Sequence, residues 1–402
     1  MVNKNLPKSV YIHIPFCKTK CAYCGFYSKS PQEFDVGKLL DAEITELKKS
    51  SFQKPVNTLY IGGGSPASIG AQMLCDFLSE IVKLTGNAEE FTVEINPADA
   101  NENLLTNLKS LGVNRISIGV QSFAQKELDF LGRRYSVEKI DQIINSAKQA
   151  GFENISIDLI FAIPGSILRT WRQNLKKTIE TGVTHISAYS LTYEKNTPLE
   201  KTKSAGQIKT VSKELDRKMY ETAIEILGGA GFEHYEISNF AKPGFQCRHN
   251  LTYWKNDFYI GIGPAAASYI PDWRTENISD IDKYIECIPL ETHRSSIPSN
   301  SKNLSSLTGC IENDKNPISE RIKISPVEKA SQAAVLGLRL IKGINLTDYK
   351  QKTGFDIFEL FKDSIEKNLK LNLLQLKNGY LSLTKIALPI ADSVLCDFAQ
   401  PD

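Results

Sequence analysis

Tyr11-Ile12-His13-Ile14-Pro15-Phe16-Cys17-Lys18-Thr19-Lys20-Cys21-Ala22-Tyr23-Cys24-Gly25-Phe26 sets three cysteines at a C-x3-C-x2-C spacing directly behind an alternating, β-prone run. The three thiols therefore project from one short loop at the end of a strand. Cubane iron–sulfur clusters usually take four cysteine thiolates, so a loop that offers three leaves one iron open to a small molecule. A tetrahedral zinc site is the nearest rival and needs a fourth ligand from elsewhere. Three unrelated buried thiols are the plainest alternative, because free cysteine is among the most buried residue types. Against it, the other five of the eight cysteines are scattered singly, whereas these fall within eight residues.

Downstream of this loop, short apolar runs alternate with longer amphipathic ones, the pattern of a repeated βα unit with parallel strands. Strands are expected at Val10–Ile14, Thr58–Ile61, Phe91–Ile95, Arg115–Ile118, Ile155–Ile160 and His185–Tyr189. Helices are expected between them at Gly37–Lys49, Met73–Leu84, Glu102–Leu111, Val137–Ala150 and Trp171–Thr181. Gly112, Gly151 and Gly182 are placed to end helices in the left-handed conformation. Six such strands are two short of a closed eight-stranded barrel. The fold class is thus α/β, a partial (β/α)6 barrel of the TIM type.

Chemistry in such a barrel sits where strands end, and the strand ends here are polar. The second runs into Gly62-Gly63-Gly64-Ser65-Pro66, the third into Glu94-Ile95-Asn96-Pro97 and the fourth into Gly119-Val120-Gln121-Ser122; the fifth carries Asp158 ahead of Pro164-Gly165. The glycines let backbone approach a ligand closely, although an ordinary tight turn explains a glycine triplet equally well. Glu94, Gln121 and Asp158 supply acceptors and one amide suited to a ligand with an ammonium group and ribose hydroxyls. Arg133 or Arg134 could pair with a carboxylate through two hydrogen bonds; a helix cap for Asp158 and a solvated surface charge for Arg134 are the bland readings.

Composition narrows the function classes. With 48 basic and 46 acidic residues in 402, the formal charge is +2, so no field draws the chain to nucleic acid or anionic lipid. Hydrophobic content of 41% and charged content of 23% are those of a soluble globular protein. The start of the chain shows no long apolar signal core and no run reaches the length of a membrane span, so a cytoplasmic location is expected. In a reducing compartment the clustered cysteines read as metal ligands, not as a disulfide framework.

Residues from about Thr292 to Asn316 are rich in Ser and Asn with little periodicity, so 291–324 reads as a linker or exposed insertion, Cys310 within it being a surface thiol. The main domain is accordingly drawn at 1–290 and a C-terminal one at 325–402. The latter shows a helix through Val335–Leu340, Gly343 at its end, a helix around Ile357–Leu371 and a short hairpin at Gly379–Thr384. That order suggests a small winged-helix-like α+β module, a cap over the open barrel side or a partner-docking surface.

The cysteine triplet with its preceding Tyr-Ile-His-Ile-Pro-Phe, the Gly-Gly-Gly-Ser-Pro turn and the order of the strand ends resemble the radical S-adenosylmethionine superfamily. Within it they resemble the branch of oxygen-independent coproporphyrinogen III oxidase and its relatives, over about residues 8–290. The resemblance implies a [4Fe-4S] cluster on Cys17, Cys21 and Cys24, with S-adenosylmethionine at the fourth iron. It implies contacts to that molecule from Tyr11, Gly63, Gly64, Ser65, Glu94, Gln121, Arg133 and Asp158, Arg133 fitting the spacing from Gln121 better than Arg134. Two departures stand out: Ser65 replaces the commoner threonine, and Phe161-Ala162-Ile163-Pro164-Gly165 lacks the glycine expected before the apolar residue.

The oxidases carry a further cysteine two residues beyond the third cluster ligand, where this chain has Phe26, and a long extension before the cysteines. These differences point to the sister group of HemW-type heme chaperones, as does Arg248-His249-Asn250-Leu251-Thr252-Tyr253-Trp254, which matches its H-N-x-x-Y-W signature. The implied function is heme binding and delivery to acceptor proteins, respiratory acceptors and peripheral contact with membrane partners being candidates, with an electron donor for the cluster and no nucleic acid. The alternative is oxidative decarboxylation of coproporphyrinogen III. His249, with Tyr253 and Trp254 beside it, is a candidate heme ligand, since imidazole is a common axial ligand and aromatic rings cover porphyrin faces; equally, the motif could only close the domain.

Overall fold

The computed structural model describes residues 6–288 and 317–400. Six strands, β1 (Ser9–Ile14), β2 (Thr58–Gly63), β3 (Glu90–Ile95), β4 (Arg115–Gln121), β5 (Asn154–Phe161) and β6 (His185–Ser190), lie side by side in chain order and parallel. The register sets Ile12 beside Ile61, Val93 beside Ile116 and Ile157 beside Ile186. Successive side chains of a strand point to opposite faces, so this row of branched side chains lies on one face. It meets helices Val36–Lys49, Ala71–Thr85, Glu102–Ser110, Val137–Gln149 and Leu168–Glu180, which contribute Leu39, Leu78, Leu105, Ile140 and Leu175 to the same core. Each such fully buried aliphatic side chain contributes about 1.5–3 kcal/mol. The glycines expected to end three of these helices do so, with φ of 90° at Gly112, 86° at Gly151 and 66° at Gly182.

The sheet continues past both ends of the parallel row. β7 (Glu233–Glu236) and β8 (Asn239–Ala241) add antiparallel beside β6. Beside β1 comes the parallel β9 (Tyr259–Ile262), then the antiparallel β10 (Ala267–Ile270), β11 (Trp273–Asn277) and β12 (Ile318–Lys323). The result is an open, partial barrel of twelve strands. Strand β12 corrects the expectation of irregular chain throughout 291–324, because its residues pair along β11; residues 289–316, with Cys310, lie outside the described part.

The C-terminal module begins at helix Pro326–Gly337, started by a capping box between Ser325 and Glu328 with proline in the first turn. Helices Leu346–Thr353 and Lys362–Lys370 follow, with a small antiparallel sheet of β13 (Ile344–Asn345), β14 (Leu374–Lys377) and β15 (Tyr380–Leu383). The module touches both ends of the open sheet. On the β7 side the Ile237 N–H donates to the Arg339 carbonyl (3.1 Å) and the Ile341 N–H to the Tyr235 carbonyl (3.1 Å). On the other side Arg274 of β11 donates to Gln332 (2.8 Å), and Lys329 pairs with Asp272. The module thus bonds to the sheet on both of its sides.

Candidate functional site

The inner positions of the parallel strands, those of opposite parity to the apolar row, are polar along most of their length: Ser9, Tyr11 and His13; Thr58 and Tyr60; Glu90, Thr92 and Glu94; Arg115 and Ser117; Ser156 and Asp158; His185 and Ser187. Helix Arg248–Trp254 closes one end of this face, where the strands begin. Glu90 accepts from the N–H groups of Arg248 and His249 (2.9 Å each), a carboxyl group set at the first turn of the helix. His249 is 1% exposed, its Nδ1 bonded to the Thr58 hydroxyl (2.7 Å) and its Nε2 to the Tyr253 hydroxyl (2.8 Å). Burial, with Arg115 adding to it, holds its imidazole down at about 3. An imidazole with both nitrogens engaged offers none to a heme iron, so the geometry favours the closing role for His249 and Tyr253 over the axial-ligand role. Trp254 is stacked beneath Arg339, 4.7 Å from ring centroid to guanidinium carbon.

The opposite end, where the strands finish, carries the cysteines. Their loop is closed at its base: Phe16 bridges to Lys29, the Cys17 N–H donates to the Lys29 carbonyl (2.9 Å) and the Lys29 N–H to the Pro15 carbonyl (2.8 Å). Other strand-end loops brace it. The Leu199 N–H donates to the Ala22 carbonyl (2.9 Å), a Cβ on Gly25 would lie 2.9 Å from the Glu194 side chain, and Lys18 pairs with Asp99 (3.0 Å). All three thiols are free and half-buried. Burial first, then the neighbouring Cys24 and Cys21, pushes the Cys17 thiol up to about 11 against the pull of Ser28; the Cys24 thiol is raised by burial as well. Thiols in this state become thiolates only against a strong positive charge, which is what a metal centre supplies.

Among the described residues no three His, Cys, Asp or Glu side chains converge on one ion.

The glycine turn lies directly under the loop. The Gly64 N–H donates to the Ile14 carbonyl (2.9 Å) and the Ser65 N–H to the Phe16 carbonyl (2.7 Å), and a Cβ on Gly64 would stand 2.3 Å from that same oxygen. Gly63 has φ of 108°, and a Cβ there would meet the His13 ring at 2.8 Å. Gly62 leaves room for the Glu94 carboxyl group, 2.9 Å from where its Cβ would be. Glu94 accepts from the Tyr60 hydroxyl (2.8 Å). Burial, opposed by that bond and aided by Asp158, pushes it up to about 7. Tyr11 donates to or accepts from His13 Nδ1 (2.9 Å), its phenol raised by burial and then by Glu94. Ser65 donates to Asp99 (2.7 Å), the carboxylate that also holds Lys18.

Gln121 and Arg133 meet over Gly119, where a Cβ would lie 3.0 Å from the glutamine amide nitrogen and 3.7 Å from the guanidinium. Arg133 donates to the Tyr23 hydroxyl (2.6 Å) and keeps a buried Nε without a partner, whereas Arg134 is exposed. Asp158 accepts from the Ser117 hydroxyl (3.2 Å) and is raised by burial against the pull of Ser187 and Arg115. The structure sets Gly64 and Ser65 under the cysteine loop and Arg133 against its Tyr23, with Gln121 beside Arg133, while Glu94 and Asp158 interact with each other on the inner face and Tyr11 lies 6.4 Å from the His249 ring, towards the closed end. Tyr23, Tyr60, Asp99 and Ser117 join them unforeseen. Tyr60 and Ser117 share strand parity with Gly62 and Gly119, a signal the sequence does hold. A free guanidinium donor, acceptors on three strands and turns that admit only glycine suit a ligand bearing carboxylate, ammonium and ribose groups.

Residues 11–177 match the radical SAM superfamily model and residues 324–390 the HemN C-terminal domain model. The heme chaperone HemW of Lactococcus lactis is 31% identical over 98% of this chain and 98% of its own length. That of Bacillus subtilis is 32% identical over 90% and 92%, and that of Escherichia coli 35% identical over 67% and 72%. Among solved structures, the coproporphyrinogen III oxidase HemN of Escherichia coli, described as a radical SAM enzyme, superposes over 98% of this chain and 90% of its own with a TM-score of 0.79 at 19% identity, a likeness of fold. No described helix is long and apolar enough to cross a membrane.

Proposed function

Since the chain belongs to the HemW family of radical SAM proteins, we propose that it is a heme chaperone. On this reading it carries a [4Fe-4S] cluster on Cys17, Cys21 and Cys24, takes S-adenosylmethionine across the neighbouring strand ends, and delivers heme to acceptor proteins. The observation that carries the reading is the braced three-cysteine loop standing over the Gly64–Ser65 turn and against Arg133, together with Phe26, 72% exposed where the oxidases have a cysteine. When bound, the cluster supplies the single electron by which this superfamily cleaves the sulfonium.

The residues have distinct tasks. Arg133, with its unpartnered Nε, takes the ligand's carboxylate; Glu94 and Asp158 accept from its amino and ribose groups; Gly63 and Gly64 let the backbone approach. The heme site is assigned to neither His249 nor Tyr253, both of which serve the closed end. The HemN C-terminal match at 324–390 supports drawing a separate C-terminal domain from about 325, and the chain is proposed to work in the cytoplasm with a reductant and protein acceptors.

One anaerobic experiment tests the function. Reconstituted protein is titrated with hemin while a parallel sample receives coproporphyrinogen III, S-adenosylmethionine and reductant. Stoichiometric hemin binding without protoporphyrinogen is expected; protoporphyrinogen formation would sink the chaperone reading. In the same preparation Cys21→Ala should lose the reduced-state EPR signal while keeping its far-UV circular dichroism.

A further inference from the structure

Two residues other than glycine at the strand ends around the candidate site adopt left-handed backbone: Gln121 at φ 66°, behind a bulge in β4, and Ala162 at φ 58°, just past β5. L-residues rarely adopt that conformation, and it persists only where the surroundings hold it. Here one side chain reaches both turns. Glu127, on helix Gln125–Leu131 and 7% exposed, accepts at Oε2 from the hydroxyl of Ser122 (2.5 Å), the residue after Gln121. At Oε1 it accepts from the hydroxyl of Ser166 (2.6 Å), in the turn that follows Ala162. Asn174 completes the network, donating through Nδ2 to Glu127 Oε2 and to the Ser122 hydroxyl (3.0 Å each) and accepting the Phe123 N–H (3.0 Å).

A carboxyl group is a costly way to fill buried volume unless every oxygen is bonded, and a leucine would fill it without that cost. What leucine cannot do is fix Ser122 and Ser166 together. The beneficiary is the side chain of Gln121, whose amide lies over Gly119 beside Arg133.

We infer that Glu127 is a positioning residue for the S-adenosylmethionine site, holding Gln121 and the Ala162–Ser166 turn in their left-handed conformations through Ser122 and Ser166. The inference rests on the reading that Gln121 faces S-adenosylmethionine. In Glu127→Gln one acceptor oxygen becomes an amide, so the serine that faces it keeps a partner only by turning its hydroxyl to accept, a weaker hold than the carboxylate gives, at nearly unchanged volume.

The test is a double-mutant cycle on the reconstituted full-length chain, reading the Kd for S-adenosylmethionine by anaerobic equilibrium dialysis. Gln121→Ala and Glu127→Gln are each expected to weaken binding about tenfold, and the double variant to bind within about twofold of Gln121→Ala, because contacts in one network do not add. Independent losses that multiply in the double variant, or an unchanged Kd in Glu127→Gln, would overturn the inference. Should Glu127→Gln fail to fold, Ser166→Ala removes a single donor. It is expected to weaken binding about threefold in the wild-type background and not in Gln121→Ala; no loss, or the same loss in both backgrounds, overturns the inference. Wild-type affinity in Gln121→Ala would remove the reading of the ligand site and the positioning role with it, whereas a weak Gln121→Ala beside a normal Glu127→Gln removes the positioning role alone.

Discussion

Glu94 is the residue at which the site's electrostatics become measurable. Its carboxyl group is pushed by burial to about 7, well above the ordinary glutamate value. A group whose folded value lies above its unfolded one favours the folded state while protonated, and that contribution fades as pH rises through about 7. Ligand binding runs the other way, because only the ionised carboxylate accepts freely. S-adenosylmethionine affinity should therefore rise by up to about tenfold per pH unit below 7 and level off above it, and Glu94→Gln should flatten the profile; isothermal titration from pH 5.5 to 7.5 reads both. Gly64 makes the steric counterpart. A Cβ there would press on the Phe16 carbonyl at 2.3 Å, a backbone atom that cannot swing aside, so Gly64→Ala should cost about 1–3 kcal/mol in urea unfolding and lower the iron bound per chain, Cys17 being the next residue.

Among the elements, helix Arg248–Trp254 joins sequence motif to structural task. His249→Ala strands the hydroxyls of Thr58 and Tyr253 in a buried site, at an expected cost of about 2–4 kcal/mol, while hemin affinity read from the Soret band stays unchanged. The motif was legible and its part in closing the barrel only an alternative, since nothing in H-N-x-x-Y-W tells that Glu90, far upstream, bonds its first N–H groups. The parallel strands β1 to β6 and their helices were legible because each keeps one period and several end on glycine. The strands added at the two ends of that row were not: β8 has three residues, β7, β9 and β10 have four each, and β12 follows a Ser/Asn-rich run and is charged at three of its six positions. At the site, strand-end chemistry pointed to Glu94, Gln121 and Asp158. The clamp at Glu127 carried no signal, because a glutamate in the first turn of a helix is ordinary on a solvent-facing surface and becomes informative only once its two serine partners arrive from separate strands.

For the molecule as a whole, the C-terminal module ties together sheet ends that are remote in the chain. Arg339 is central, its carbonyl taking the Ile237 N–H and its guanidinium covering Trp254. Arg339→Ala keeps the backbone bond and loses the stacking, so about 1–2 kcal/mol of stability should go, visible as a lower thermal midpoint. The cysteine loop has a consequence of another kind. Because the Phe16–Lys29 bridge and the braces at Ala22 and Gly25 engage none of the three thiols, the binding energy of an inserted cluster is not consumed in shaping its cradle. Stripping iron with a chelator should leave a folded vessel that refills at a rate governed by the supply of iron and sulfide, with the chain never having to find its shape again.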